Sequence, residues 1–421
     1  MARVAKPARA AAATRITKAK RAAKPVKAVK ALKVEEIPRS EKKMIAQISE
    51  MTKQLQIIRA KSDALGQNGE VLRGVHPKSH GCLVGRFTVN PKLRKRLRVG
   101  LFREPGRTFK CRIRLSNATT SIAPDLAGGN GTRGFALKVL DAGRRAIVKD
   151  QGQVSQDFLL INTNRFAFAN VADYLRATQA LMSDPNGVDG RIYFLPAQLF
   201  AAGVMDASGK IIPPRGEEPP EVAGARALFE QVKGTPLFKG FGPVQMAGTL
   251  KSAAVLQQIL AEPVRNPLEV AYFAAAPTRF GARRVARFRV EPLDGPVPQA
   301  PITAEEAEAL GPDYLAKAVA RSMARGAAIT FRMRAQVIHP IELEDRIELI
   351  EDATVAWDPE EFEPVDLAKI TIDPSDQPRD LVDACKADRF TPWQCLPAHE
   401  PVGGINRLRR PVYEASSGHR S

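Results

Sequence analysis

The sequence predicts an α+β fold, an antiparallel sheet or barrel with helices around it, on three observations. Short runs rich in β-branched and aromatic residues fall into an early group (83–89, 111–116, 134–140 and 158–162) and a late one (284–290, 329–338 and 353–357). Apolar residues at helical spacing fill the block between them, at 171–182, 222–232 and 246–260. Strands grouped on either side of helices, instead of alternating with them, argue against a βαβ repeat.

The chain has 421 residues, 44% of them hydrophobic and 26% charged, enough for a large buried core. Residues 1–38 stand apart. They are Ala, Lys, Arg and Pro, and eleven Lys or Arg with no acid lie between Met1 and Val34, more than half of the net charge of +19. Charge repulsion and proline predict a disordered arm. It has no interleaved aromatics to stack on bases, so its expected contact with nucleic acid or another polyanion is nonspecific. It never becomes apolar enough for a secretory signal, so a cytoplasmic protein is expected. The longest apolar stretch, 193–205, contains Pro196 and Gln198 and is too short to cross a bilayer. Function is therefore expected in residues 39–421.

Within that body, Ile45, Ile48, Met51, Leu55 and Ile58 recur at helical spacing and predict a surface helix over 41–63. Cys82, Cys111, Cys385 and Cys395 show neither CxxC spacing nor a disulfide-rich pattern, which reads as free thiols in a reducing compartment. His80 with Cys82 supplies too few ligands for a metal site. Gly128-Gly129-Asn130-Gly131 lacks the Lys-Ser/Thr of a nucleotide loop and reads as a plain loop.

Three clusters carry the chemistry. Arg73-Gly74-Val75-His76-Pro77-Lys78 leads on to Gly85 and Phe87. Arg114-Leu115-Ser116 runs through a Gly-rich loop into Arg133-Gly134-Phe135-Ala136-Leu137-Lys138. Arg409-Arg410-Pro411-Val412-Tyr413 precedes His419 and Arg420. Each alone has a bland reading, since a histidine beside a proline is commonly structural and an Arg stacked on a Tyr is ordinary on a surface helix. In this order, however, they resemble the haem catalases. Those chains carry Arg-x-x-His-x-Lys, then Gly-x-Phe, an Arg-Phe-Ser strand, Arg-Gly-Phe-Ala-x-Lys, and late in the chain Arg-x-x-x-Tyr with another Arg seven residues on. Pro364, Asp366, Leu367 and Lys369 match a further stretch of that family.

The resemblance implies a catalase-like antiparallel β-barrel with surrounding helices, holding haem b through Tyr413 on the iron. The residue types suit those roles. A tyrosinate is an anionic iron donor, and Arg409, one helical turn earlier, brings a fixed positive charge that favours it. His76 would move the peroxide's proton, with Ser116 fixing its ring. Arg73, Arg114 and Arg420 would hold the two propionates. Catalases also carry a distal asparagine in an Asn-Asn-Thr-Pro-x-Phe-Phe segment, where this chain has Ile161-Asn162-Thr163-Asn164-Arg165-Phe166-Ala167-Phe168. Asn162 is the candidate for that catalytic position, Phe166 for the aromatic over the haem, and Tyr174 for another pocket aromatic.

The chain departs from the pattern in its middle, where residues 266–273 and 277–281 replace a His- and Gly-rich segment, and it ends eight residues after Tyr413. These departures resemble the shorter catalase-related haem proteins. The expected activity is a haem-dependent hydroperoxidase acting on hydrogen peroxide or organic hydroperoxides, with an unidentified reductant. The alternatives are a haem enzyme that rearranges fatty-acid hydroperoxides and a non-enzymic polyanion-binding protein with the same fold. Without the wrapping segments of tetrameric catalases, a monomer or small homo-oligomer is expected.

Overall fold

The computed structural model describes residues 35–62, 69–120, 122–125, 132–149, 152–185, 191–214, 216–339, 346–418 and 420. The basic arm up to Val34, the Gly128–Gly131 loop and His419 lie outside the described residues. Strands β1 (Ser79–Val89), β2 (Thr108–Asn117), β3 (Arg133–Val139), β4 (Gln156–Ile161), β5 (Tyr272–Ala274), β6 (Thr278–Arg279), β7 (Val285–Pro292), β8 (Ile329–Ile338) and β9 (Val365–Ile372) form one antiparallel sheet. Its order is β5-β4-β3-β2-β1-β9-β8-β7-β6, and β5 also pairs with β7. Eight strands therefore close into a barrel, with β6 appended to β7.

The predicted early strands and the first two late ones fall within this set. The late run at 353–357 forms no strand. Its Ala353 and Trp357 are buried beside the short helix at Glu348–Glu351, and the barrel is completed instead by β9 and the three-residue β5. β9 joins β1 through Phe87 opposite Ile370 and β8 through Phe331 opposite the same residue.

Pleating divides each wall strand between two environments. On β2, Ile113 and Leu115 join the barrel core while Arg114 and Ser116 turn the other way, and on β4 Phe158 joins the core while Leu159 turns away. The core is aromatic: Phe87, Phe102, Phe135, Phe158, Phe288 and Phe331 are all at most 5% exposed. Burying each such ring contributes roughly 1.5–3 kcal/mol, which makes this cluster the main source of the fold's stability.

Helices surround the barrel. They are α1 (Glu41–Ala60), α2 (Val171–Ser183), α3 (Leu195–Ala201), α4 (Pro220–Val232), α5 (Pro243–Ala261), α6 (Ala304–Leu310), α7 (Tyr314–Ala324), α8 (Glu348–Glu351) and α9 (Gly404–Gly418). The Asn170 side chain starts α2 by accepting from the N–H groups of Ala172 and Asp173 at 2.9 and 3.1 Å. α1 packs against α2 and α9 through Ile48, Val171 and Leu408. Arg407 of α9 is gripped by the carboxylates of Glu35, Glu41 and Glu351, and Glu35 also accepts the Gly403 N–H at 2.8 Å. Glu35 and Glu41 thus tie the start of the described chain to α9.

Two of the four cysteines correct the free-thiol expectation. Cys82 on β1 and Cys385 form a disulfide, with Cα atoms 5.6 Å apart and a sequence separation of 303. Cys111 and Cys395 are buried free thiols. Among the described residues, no helix is long and apolar enough to cross a membrane.

Candidate functional site

Between the outer face of β2–β4 and helices α1, α2 and α9 lies a cavity of about 310 Å³, completed by residues 389–394. That size is within the range of pockets that take small organic ligands. Arg73, His76, Arg114, Ser116, Phe166, Arg409, Tyr413 and Arg420 all line it, brought together from four separate parts of the chain. Asn162 does not. Its side-chain oxygen accepts the Arg133 N–H at 2.6 Å, and its own N–H returns to the Arg133 carbonyl at 3.1 Å, so this amide clasps the edge of β3. Ile161, the preceding residue, is the one that reaches the cavity wall.

His76 has a backbone φ of +61°, a left-handed conformation uncommon outside glycine. The turn that holds it is bonded on every side. The His76 N–H donates to Thr119 O at 2.9 Å, Arg114 Nη2 donates to Pro77 O at 3.0 Å, and the Asn117 N–H donates to Lys78 O at 3.2 Å. Lys78 itself is anchored by Asp125 at 2.9 Å. The ring is fixed through Nδ1, 3.0 Å from Ser116 Oγ. Close packing requires Gly134 opposite, because a Cβ there would sit 2.6 Å from His76 Nδ1 and 2.7 Å from Ser116 Oγ. This gives the glycine of the Arg-Gly-Phe-Ala run a steric reason.

Burial, then the positive charges of Arg114 and Arg409, push the His76 imidazole down to about 3. The ring is withdrawn from bulk water yet keeps part of its surface toward the cavity, so it is neutral and accessible there at neutral pH. With Nδ1 committed to Ser116, Nε2 is the nitrogen left for a ligand.

Three guanidiniums converge on the cavity. Burial, followed by Arg114 and Arg420, lowers Arg73 to about 9. Burial, followed by Arg420, lowers Arg114 to about 10. Burial, followed by Arg389, lowers Arg420, whose Nε has no hydrogen-bond partner among the described residues. Arg73 Nη2 is positioned by the carbonyls of Cys385, Lys386 and Asp388 at 3.2, 3.1 and 2.7 Å. Buried like charges facing one another, with a donor unused, favour a multiply anionic ligand.

On α9, Arg409 and Tyr413 share a face. Arg409 Nη2 donates to the phenol oxygen at 3.2 Å, and the guanidinium carbon is 5.4 Å from the ring centre. Phe166 and Tyr174 stack with ring centres 6.3 Å apart and planes 11° apart, forming an apolar wall. Burial, followed by Tyr413, pushes the Tyr174 phenol up to about 12, so it stays neutral. Among the described residues, no group of three or more His, Cys, Asp or Glu is placed to hold a bare metal ion. His80 instead bonds Asn117 Oδ1 at 2.7 Å.

The sequence left two parts of the wall unread. Thr52, Leu55, Gln56 and Arg59 come from α1, and Arg389, Phe390, Thr391, Trp393 and Gln394 come from the segment between the last strand and α9. The dense run Arg389-Phe390-Thr391-Pro392-Trp393 was the available signal for the second.

No family model matches the sequence, and no curated protein matches it. Among solved structures the chain is similar to a fungal catalase, with 15% identity and a TM-score of 0.57 over 83% of this chain and 59% of that one. It is also similar to catalase A from Saccharomyces cerevisiae, with 14% identity and a TM-score of 0.56 over 84% and 62%. A bacterial catalase gives 12% identity and a TM-score of 0.51 over 94% and 64%. The chain spans about three-fifths of the length of these catalases. Its fold, a closed eight-strand antiparallel barrel with helices around it, is the catalase-like fold.

Proposed function

We propose that this chain binds haem b with Tyr413 as the iron ligand and cleaves hydroperoxides, His76 carrying the proton. The observation that carries the reading is one cavity bounded by a neutral imidazole held at Nδ1, a phenol beside an arginine, and three buried guanidiniums. The residues fit the cofactor on their own chemistry. Two propionates would satisfy Arg73, Arg114 and Arg420, including the unused Nε of Arg420, and Phe166, Ile161 and Leu159 offer apolar surface to a porphyrin.

When bound, the cofactor supplies an iron able to exchange electrons with an O–O bond. The chain's own part is proton handling and exclusion of water. His76 Nε2 accepts the hydroperoxide proton and returns it to the departing oxygen, while Ser116 Oγ keeps the ring oriented. Arg409 holds the Tyr413 oxygen in place through the bond already described.

The test is spectroscopy with kinetics. Full-length protein supplemented with haem is expected to show a Soret band and hydroperoxide consumption. Tyr413→Phe is expected to shift or lose the band, whereas His76→Gln keeps the band and loses turnover. A wild-type protein that takes up no haem ends the proposal.

A further inference from the structure

The cavity wall carries more positive charge than two propionates can neutralise. Eight Lys and Arg side chains line it against one carboxylate, Glu414, which pairs with Arg410 at 3.4 Å. Arg73, Arg114 and Arg420 are assigned above to the cofactor, Arg409 faces Tyr413, and Arg59 donates to the carbonyls of Thr120 and Pro185. Arg389 and Lys149 remain. Both are exposed, and neither forms a hydrogen bond or ion pair among the described residues.

Their backbones are firmly placed. The N–H groups of Ile147 and Val148 donate to the carbonyls of Cys395 and Trp393 at 2.8 and 3.2 Å, which lays Lys149 beside the 393–395 segment. Arg389 follows Asp388, whose carbonyl accepts from Arg73, and precedes Phe390 and Thr391, the latter bonded to the buried Asp157 at 3.3 Å. Val148, Phe390 and Trp393 flank the two cations as apolar cavity lining. Arg389 lines the same cavity as Arg420, and its charge adds to the burial that lowers Arg420.

We infer that Arg389 and Lys149 form a carboxylate-recognising mouth to this cavity, selecting small organic acids with an apolar or aromatic body. The inference rests on the cavity being the hydroperoxide site. The recognised carboxylate belongs either to the hydroperoxide or to the reductant, and the chemistry is the same: a guanidinium and an ammonium facing one anion beside an apolar wall. Because both cations are exposed, the attraction acts at low ionic strength and is screened by salt.

The experiment uses the haem-supplemented full chain and two matched pairs, a neutral and a carboxylated aryl hydroperoxide, and a neutral and a carboxylated phenolic reductant. At low salt the carboxylated member of one pair is expected to have a kcat/KM about tenfold higher, carried by KM, and the pair that shows this identifies the source. The advantage is expected to shrink toward unity in 0.5 M salt, an ionic strength at which screening acts over roughly 4 Å, and in the double variant Arg389→Gln/Lys149→Gln. Benzoate binding, measured by calorimetry, is expected in the wild type and to be lost in the double variant. Equal kcat/KM within both pairs, or benzoate binding that survives the double variant, overturns the inference. So does a Soret band altered by Arg389→Gln, which would make that residue a cofactor anchor. If the wild type shows neither Soret band nor turnover, the hydroperoxidase reading falls by itself, while benzoate calorimetry, which needs no cofactor, still decides whether the mouth binds carboxylates.

Discussion

His399 and His76 are both buried imidazoles that stay neutral, yet one belongs to the barrel core and the other to a site. His399 is fully buried, with the rings of Phe102, Phe280 and Phe288 at 5.4, 5.6 and 6.1 Å. Its Nε2 accepts the Leu101 N–H at 3.1 Å, and Gly100 is needed beside it because any Cβ there would overlap the ring. Burial pushes it down to about 4, much as burial pushes His76 down. What differs is the space around them. His76 faces a cavity, and guanidiniums rather than phenyl rings surround it. Lowered basicity therefore reports desolvation in both regions, and only free volume beside a fixed ring nitrogen separates chemistry from packing.

Exchanging the two histidines in turn tests that contrast. His76→Gln is expected to cut hydroperoxide turnover by about 10²–10⁴ while leaving the unfolding midpoint nearly unchanged. A loss under tenfold would remove the imidazole from the mechanism. His399→Ala is expected to do the reverse. A void among stacked rings costs roughly 2–4 kcal/mol in denaturant unfolding, with turnover per folded molecule retained. Gly134→Ala lies between them, because the added methyl meets His76 and Ser116 directly. A displacement of about 1 Å is expected to lower turnover by about 10²-fold with a smaller change in stability. Turnover at the wild-type level would mean that the His76–Ser116 contact has no part in orienting the ring.

The barrel was legible because its strands alternate so regularly. On β2 and β3, Ile113, Leu115, Phe135 and Leu137 form the core face, with Arg114, Ser116, Gly134 and Ala136 on the other. The candidate site was legible in a different way, through motif order, since nothing local in the sequence says that residues 73–76, 114–116 and 409–420 meet. Three features escaped for physical reasons. β9 carries charged residues on its outer face, including Asp366 and Lys369, and 353–357 looked more apolar although its burial comes from packing beside α8. The Cys82–Cys385 disulfide spans 303 residues, so spacing could not reveal it. Asn162 stands where a distal amide was expected, but a one-residue shift on a strand reverses the direction of the side chain, and it is Ile161 that reaches the cavity.

The smallest effect shows what the two regions share, because burial withholds protons from the enclosed histidines and from the one that faces a cavity. Burial holds His80 at about 4, as it holds His399, against 6.5 for an unperturbed imidazole. Below pH 6.5 the unfolded chain binds protons that the folded chain refuses. Their contribution to stability is thus complete above pH 6.5 and is lost as pH falls toward 4. Between pH 7 and pH 5 this amounts to about 1–2 kcal/mol for each of the two. Asp157 acts in the opposite direction. Burial, opposed by Lys138, pushes its carboxyl up to about 6, so between pH 6 and 3.8 the folded chain holds a proton that the unfolded chain releases, offsetting part of the loss. His76, pushed down to about 3, contributes on the same scale over this range, with the charges of Arg114 and Arg409 adding to burial. Urea unfolding at pH 7, 6 and 5 is accordingly expected to show stability falling with acidity. His399→Gln and His76→Gln should each flatten that slope by about 1 kcal/mol. A slope left unchanged by His76→Gln would mean that its imidazole takes up a proton in the folded chain as readily as in the unfolded one.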